Sequence, residues 1–508
     1  RPPAQRRMTA MRTPPLLLIA AIVLQTSGFW AAGCAARHGS PVRLDERAAE
    51  AALRRDVVAC ADAAAVHDLL AAEVVAYAAL ADRLAAERAA LRQGAVAAAA
   101  AADRGEPVPG ALVEELGRAF SSASATARAV AGVAARHDPW RRRDAPHPER
   151  RLRVLGTALS VVAALELYDS YLLCGALLAA HPPVRKVVDR GDAGFGTPGG
   201  QLDGLTRDYL DLGRRYRVHD GFAFLAGHRS LLAADDPHLA WLRERIDASP
   251  SARTLREHWL VPLGEFAGET ANLVHSDLRR LADAAMGGAS KGFGNAVGAV
   301  QFRRGLLHAD AQAEAAVAAV LRPGDILLEK TPFRLTDRFI PGHWGHVAIW
   351  LGTAGEARAL LGDDPLLARH AAALAAGAGV CEALRDGVQL NPLARFLDVD
   401  DLAVLRCRLD DAGRAAHLRR ALRQLGKPYD FNFDVETADR IVCSELVYQV
   451  FTGIAWPTGA ALGRATISPD QVAVRAIDGG PLEVVALWHD GRRVDGDPET
   501  AMRRLLGR

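Results

Sequence analysis

Aromatic residues make up only 6% of this 508-residue chain, and its six cysteines include no pair at CxxC spacing. Cys34, Cys60, Cys174, Cys381, Cys407 and Cys443 are too few and too scattered for a disulfide framework in a chain of this length. No His/Cys group has the spacing of a zinc site, so neither a metal nor another cofactor is implied. Charge of one sign is also missing. The formal net charge of +2 gives no electrostatic case for a nucleic-acid partner or for binding to an anionic membrane surface. The most apolar stretch of the body, 155–180, contains Glu166 and Asp169, which are costly to bury in lipid, so a helical bundle is expected there rather than a membrane span.

What is present begins with an export signal. Arg6, Arg7 and Arg12 surround Met8 and Met11, either of which would serve as a start, and Leu16 to Leu24 form an apolar core of signal-peptide length. Ala31-Ala-Gly-Cys34 follows and resembles the bacterial lipobox, with Ala31 where Leu or Val is preferred. The resemblance implies lipidation of Cys34 and a membrane-anchored lipoprotein, with Ala35 rather than Asp next to the cysteine pointing to an outer membrane or cell surface. The plainer alternative is a secretory signal cut near Ala32.

The next region, 35–286, reads as helical. Apolar residues recur at helical spacing over 44–91, 111–135 and 149–180, with further helices expected at 205–216, 238–246 and 252–285. Pro107, Pro109 and Gly110, the Pro-marked segment 137–148, and Pro182-Pro183 punctuate these runs. The Gly-rich stretch 191–204 reads as a loop. Cys60 and Cys174 fall on helical patterns and are expected in a core, while His219, His228 and His275 are scattered. The segment 287–320 reads as a linker and a short helix.

Texture changes after residue 320. Arg322-Pro-Gly-Asp-Ile-Leu-Leu-Glu329 reads as a turn and a strand, and Val347–Leu351 as a fully apolar strand headed by His343 and His346. The segment 379–388 reads as a strand and turn, and 401–409 as another strand. Ile441-Val-Cys-Ser-Glu445 places Cys443 at the start of an amphipathic helix. A thiol there meets the positive end of the helix dipole and unpaired N–H groups, which favour the reactive thiolate and can hold an oxyanion. His346 is the candidate base, with His343 as its substitute, and Glu382 on the next strand can accept the imidazole N–H. Asp325 is expected to shape its turn and Glu445 to complement the helix dipole. Asp430, Asp434, Glu436 and Asp439 form an acidic loop, and Cys381 and Cys407 are expected in the core.

Five spaced motifs now line up: Gly324-Asp325, His346-Val-Ala-Ile-Trp350, Cys381-Glu-Ala, Gly426-Lys-Pro-Tyr-Asp430 and Cys443-Ser-Glu-Leu-Val447. Over about 321–487 this pattern resembles the permuted papain-like amidases, an NlpC-type group of cell-wall hydrolases related to the lecithin:retinol acyltransferase fold. In the permuted members the histidine precedes the cysteine, as here. The resemblance implies Cys443 as nucleophile, His346 as base, Glu382 as orienting residue and Tyr429 near the oxyanion site. It implies an α+β fold: an all-α helical bundle, then a circularly permuted papain-like α+β domain with a small antiparallel sheet over 321–490, and a tail over 491–508. The expected substrate is a peptidoglycan peptide. The alternatives are an acyl-lipid substrate handled by the same Cys/His pair, or a binding module without catalysis. Oligomeric state is not legible.

Overall fold

The computed structural model describes residues 45–104, 108–189, 191–232, 235–261, 268, 302–334, 342–428, 442–457, 459–461 and 464–508. The signal segment, Cys34 and the expected linker lie outside them. The described residues fall into two compact units, one drawn from 1–77, 130–171 and 203–281, the other from 78–129, 172–202 and 282–508.

The first unit is helical. Its charged core residues explain the polar breaks in the apolar run 155–180: buried Glu166 accepts from Arg245 Nη2 at 3.0 Å, and buried Asp169 accepts from the Ser251 N–H at 2.8 Å. These partners offset the cost of placing carboxylates in a bundle. The helix read over 44–91 is two helices, Glu46–Ala59 and Ala63–Asp103, the second running on into the other unit. Within helix Arg150–Ala180, Gly156 lies against the fully buried Trp140, and a Cβ there would sit 2.2 Å from the indole Cδ1. Gly to Ala inside a helix ordinarily stabilises by about 1 kcal/mol. Here Gly156→Ala is expected to cost about 1–3 kcal/mol through overpacking, read as a lowered midpoint in a thermal melt followed by circular dichroism.

The second unit holds a seven-stranded antiparallel sheet in the order β4-β3-β2-β1-β5-β8-β9. Its strands are β1 (Ile326–Lys330), β2 (His346–Trp350), β3 (Val380–Leu384), β4 (Gly387–Asn391), β5 (Asp401–Cys407), β8 (Leu482–His489) and β9 (Arg492–Arg493). A separate hairpin pairs β6 (Gly459–Ala461) with β7 (Arg464–Thr466). The expected strands at 326–329, 347–351 and 401–409 are present; β4, β8 and β9 add to them.

Continuous apolar runs in β1, β2 and β5 have a physical reason, because both faces of the sheet are covered. Ile326, Leu328, Val347, Ile349, Cys381 and Ala403 face the helices Asp411–Gln424 and Cys443–Val450. Leu327, Ala348, Val380 and Val404 face the other way, with Val317 of helix Ala311–Val320, Phe396 and Trp488. The Gly324-Asp325 turn is fixed by Gly324 at φ 94° and by buried Asp325, which accepts from the Arg322 N–H at 2.7 Å and from Arg406 Nε at 2.8 Å.

Helical segments upstream in the chain belong to this unit too. Tyr448 donates its hydroxyl to the Val108 carbonyl at 3.2 Å, and Arg420 Nε donates to Glu114 at 2.6 Å. Lys427, only 1% exposed, meets Asp192 at 2.9 Å, while its carbonyl accepts from the Val388 N–H at 2.8 Å. The Gly-Lys-Pro motif is thereby tied to β4 on one side and to the 191–204 stretch on the other. That stretch is not all loop: it contains the turn Ala193–Phe195 and the start of helix Gln201–Leu210.

His417 sits in the same core, with its ring 4.5 Å from that of Phe451. Burial, with Arg420 adding to it, pushes its imidazole down to about 4. The unfolded chain therefore binds the proton more readily, so this stability is present above the ordinary histidine value and is lost as pH falls toward the folded one. A difference of that size is worth about 3 kcal/mol. Urea unfolding at about pH 7 and about pH 4 is expected to show that loss in the parent and a smaller one in His417→Leu.

Candidate active site

His346 opens β2, and the sheet register sets its neighbours. Glu329 of β1 stands opposite His346, and Glu382 of β3 stands opposite Ala348, two residues further along. Side chains alternate across a strand, so His346, Glu329 and Glu382 share a face. His346 Nε2 lies 3.0 Å from Glu382 Oε2. The other oxygen of Glu382 accepts from Asn391 Nδ2 at 2.8 Å, and Arg395 in turn donates to Asn391 Oδ1 at 2.9 Å. Glu382 and Asn391 are both buried, and the carboxylate is held at both oxygens.

Cys443 is the first residue of helix Cys443–Val450, with Val442 as its N-cap. Glu445 does more than complement the dipole: it is fully buried and accepts from the Val442 N–H at 2.9 Å, closing the first turn. Ser444 Oγ donates to the Ile467 carbonyl at 2.6 Å. The helix packs on β2 and β3, from the face opposite Glu382. His346 can meet Cys443 because it is the first residue of its strand, at the rim of the sheet rather than inside it. The two side chains are electrostatically coupled. With Nε2 engaged by Glu382, Nδ1 is the nitrogen left for the sulfur.

Electrostatics follow from this packing. Burial by itself pulls the His346 imidazole down. The charge and hydrogen bond of Cys443, the hydrogen bond of Glu382 and the charge of Glu329 outweigh it, and the imidazole is held well above its ordinary value. Elsewhere burial pushes up the thiol of Cys381, which is in the core as expected, and those of Cys407 and Cys174, which are only half-buried rather than in the core. A sulfur against a charged imidazole, with a buried carboxylate behind it, is an arrangement able to form a covalent acyl intermediate.

One comparison with known proteins agrees with that chemistry. Residues 320–492 match the model of a family described as permuted papain-like amidase enzyme, YaeF/YiiX, C92 family. The match spans the seven-stranded sheet and helix Cys443–Val450, and it supports cysteine hydrolase activity for this part of the chain. No curated protein and no solved structure gave a match.

Within the matched residues, the two histidines at the head of β2 part company. His343, the substitute base, has its Nε2 2.9 Å from Asp401 Oδ2 and is engaged there rather than with Cys443. Tyr429 and the acidic residues Asp430, Asp434, Glu436 and Asp439 lie outside the described residues, as does His275. His219 and His228 face backbone carbonyls of Leu255 and Phe224 at 3.0 and 2.8 Å. Glu329 and Asn391 were not singled out from sequence. Asn391 closes a short strand just before Pro392, but only the pairing of β3 with β4 brings it to Glu382.

Asn391 is a positioning residue by this geometry. Asn391→Ala is expected to slow alkylation of Cys443 by iodoacetamide about tenfold while shifting the melting midpoint little, since a partner lost behind an orienting group typically costs about 10–100-fold. Mass-spectrometric rates beside a thermal melt separate that outcome from general unfolding.

Proposed function

We propose that this chain is an exported cysteine hydrolase that cleaves amide bonds, with stem peptides of the bacterial cell wall as its substrate. The observation that carries the reading is His346, paired with Glu382 at 3.0 Å and electrostatically coupled to Cys443, with the sulfur at a helix N-terminus. The Cys443 sulfur attacks the amide carbonyl. The oxyanion takes a hydrogen bond from the Cys443 N–H, and the family resemblance implies the Tyr429 hydroxyl as a second donor. His346 gives its proton to the leaving amine as the C–N bond breaks, leaving a thioacyl enzyme. It then takes a proton from water as the C–S bond is hydrolysed, releasing a carboxylate and restoring the thiol. Glu382 holds the ring in place through both steps.

Export and anchoring rest on the apolar core 16–24 and on Cys34 after two small residues. An exported and anchored chain would meet cell-wall peptides. The test is a substrate panel: the chain is incubated with cell-wall fragments and, separately, with phospholipid vesicles, and the products are weighed by mass spectrometry beside Cys443→Ala. The reading predicts stem peptides cut with uptake of one water and no change in the lipid. Fatty-acid release instead would assign the same residues to ester chemistry. No turnover of either would count against a hydrolase.

A further inference from the structure

We propose that His343, Asp401 and His489 form a binding site for one divalent transition-metal ion of the zinc type, separate from Cys443. The three residues come from three elements: the segment leading into β2, the first residue of β5 and the last residue of β8. One donor atom from each lies within 4.8 Å of the others. Asp401 Oδ2 is 2.9 Å from His343 Nε2 and 3.0 Å from His489 Nδ1. Metal–ligand bonds of about 2.0–2.2 Å at tetrahedral angles separate neighbouring donors by about 3.3–3.6 Å, so only a small expansion is required. Two imidazoles and one carboxylate suit a borderline cation better than a hard one such as calcium.

The surroundings resemble a second layer of support. Asp401 Oδ1 accepts from the Asp490 N–H at 2.8 Å, which fixes the plane of the carboxylate. The Asp490 carboxylate in turn lies 3.6 Å from His489 Nε2, the nitrogen turned away from Asp401. Behind His343, Asp470 accepts from the N–H groups of His343 and Trp344 at 3.0 and 2.7 Å, pinning the backbone that carries the ligand. A carboxylate behind an imidazole orients it toward a metal, which Asp490 does for His489, while His343 is held through its backbone. The Asp401 side chain is 4% exposed and that of His489 44%, so an ion would have protein on one side and water on the other. A catalytic zinc keeps such an open position, but Cys443 needs no metal, and the ion's consequence here is mechanical. It would tie the residues just before His346 to the ends of β5 and β8.

The test uses the full chain carrying Cys443→Ala, which removes a competing thiolate, freed of metal by EDTA and titrated with Zn²⁺ by calorimetry. One ion per chain is expected, with at least about 100-fold weaker binding in His489→Ala and in Asp401→Asn. Zn²⁺ should raise the melting midpoint of the parent and leave that of His489→Ala unmoved. His489 is exposed, so its loss should not unfold the chain, and metal-free melts of the two check this. No binding by the parent, or equal binding by parent and variants, would overturn the site. These outcomes do not depend on whether Cys443 is catalytic.

Discussion

Cys443→Ala is expected to reduce turnover of the accepted substrate by about 10⁴-fold or more while the fold persists. Among the described residues Cys443 is the one thiol coupled to His346, and an unactivated water is a poor substitute for a sulfur held against an imidazole. Structural cost should be small. The substitution removes one buried sulfur from a wide core, and alanine is well tolerated in a first helical turn. Cys443→Ser tests the same point differently, since a hydroxyl does not ionise against His346 as a thiol can. It should be nearly as inactive. Product analysis and a thermal melt on both variants check the prediction; substantial residual activity in Cys443→Ala would mean that another residue carries the reaction.

His346→Gln should lower the turnover number about 10³-fold, because general acid–base help and activation of the sulfur are lost together. Glutamine is chosen over alanine so that a donor still faces buried Glu382, which otherwise would be left without its 3.0 Å partner. The pH profile carries further information. In the parent, His346 is held well above its ordinary value by Cys443, Glu382 and Glu329 against the opposing pull of burial. The imidazole therefore holds its proton, and with it a positive charge facing the sulfur, more firmly than an ordinary histidine at and below neutral pH. Alkylation of Cys443 should vary little with pH there in the parent, and should rise steeply with pH in His346→Gln as it does for an ordinary thiol.

Local signals were strong enough to read much of this from sequence. Apolar runs marked β1, β2 and β5, that of β2 bounded by glycines, and a cysteine before Ser-Glu-Leu-Val marked the helix that it begins. The pairing of His346 with Glu382 followed from two neighbouring strands, each with one polar residue among apolar ones. What escaped was information carried by register and by long separations. Asn391 matters only because β4 folds back on β3, and Glu329 only because β1 pairs with β2 in a register that puts it opposite His346. His343, Asp401 and His489 show no metal spacing because they lie far apart in the chain and meet only at one rim of the sheet. Helical periodicity described the upstream region well, yet it could not reveal that Glu114, Val108 and Asp192 contact the last third of the chain, since surface arginines and buried lysines leave no periodic trace.

The reactivity of Cys443 is the centre of the account, and alkylation rates measured cysteine by cysteine at about pH 6 test it most directly, because an ordinary thiol is almost unreactive there. Iodoacetamide should label Cys443 at least about tenfold faster than Cys60, Cys174 or Cys407, and His346→Gln should erase that preference. Labelling of Cys443 no faster than that of Cys407, or unchanged by His346→Gln, would contradict it.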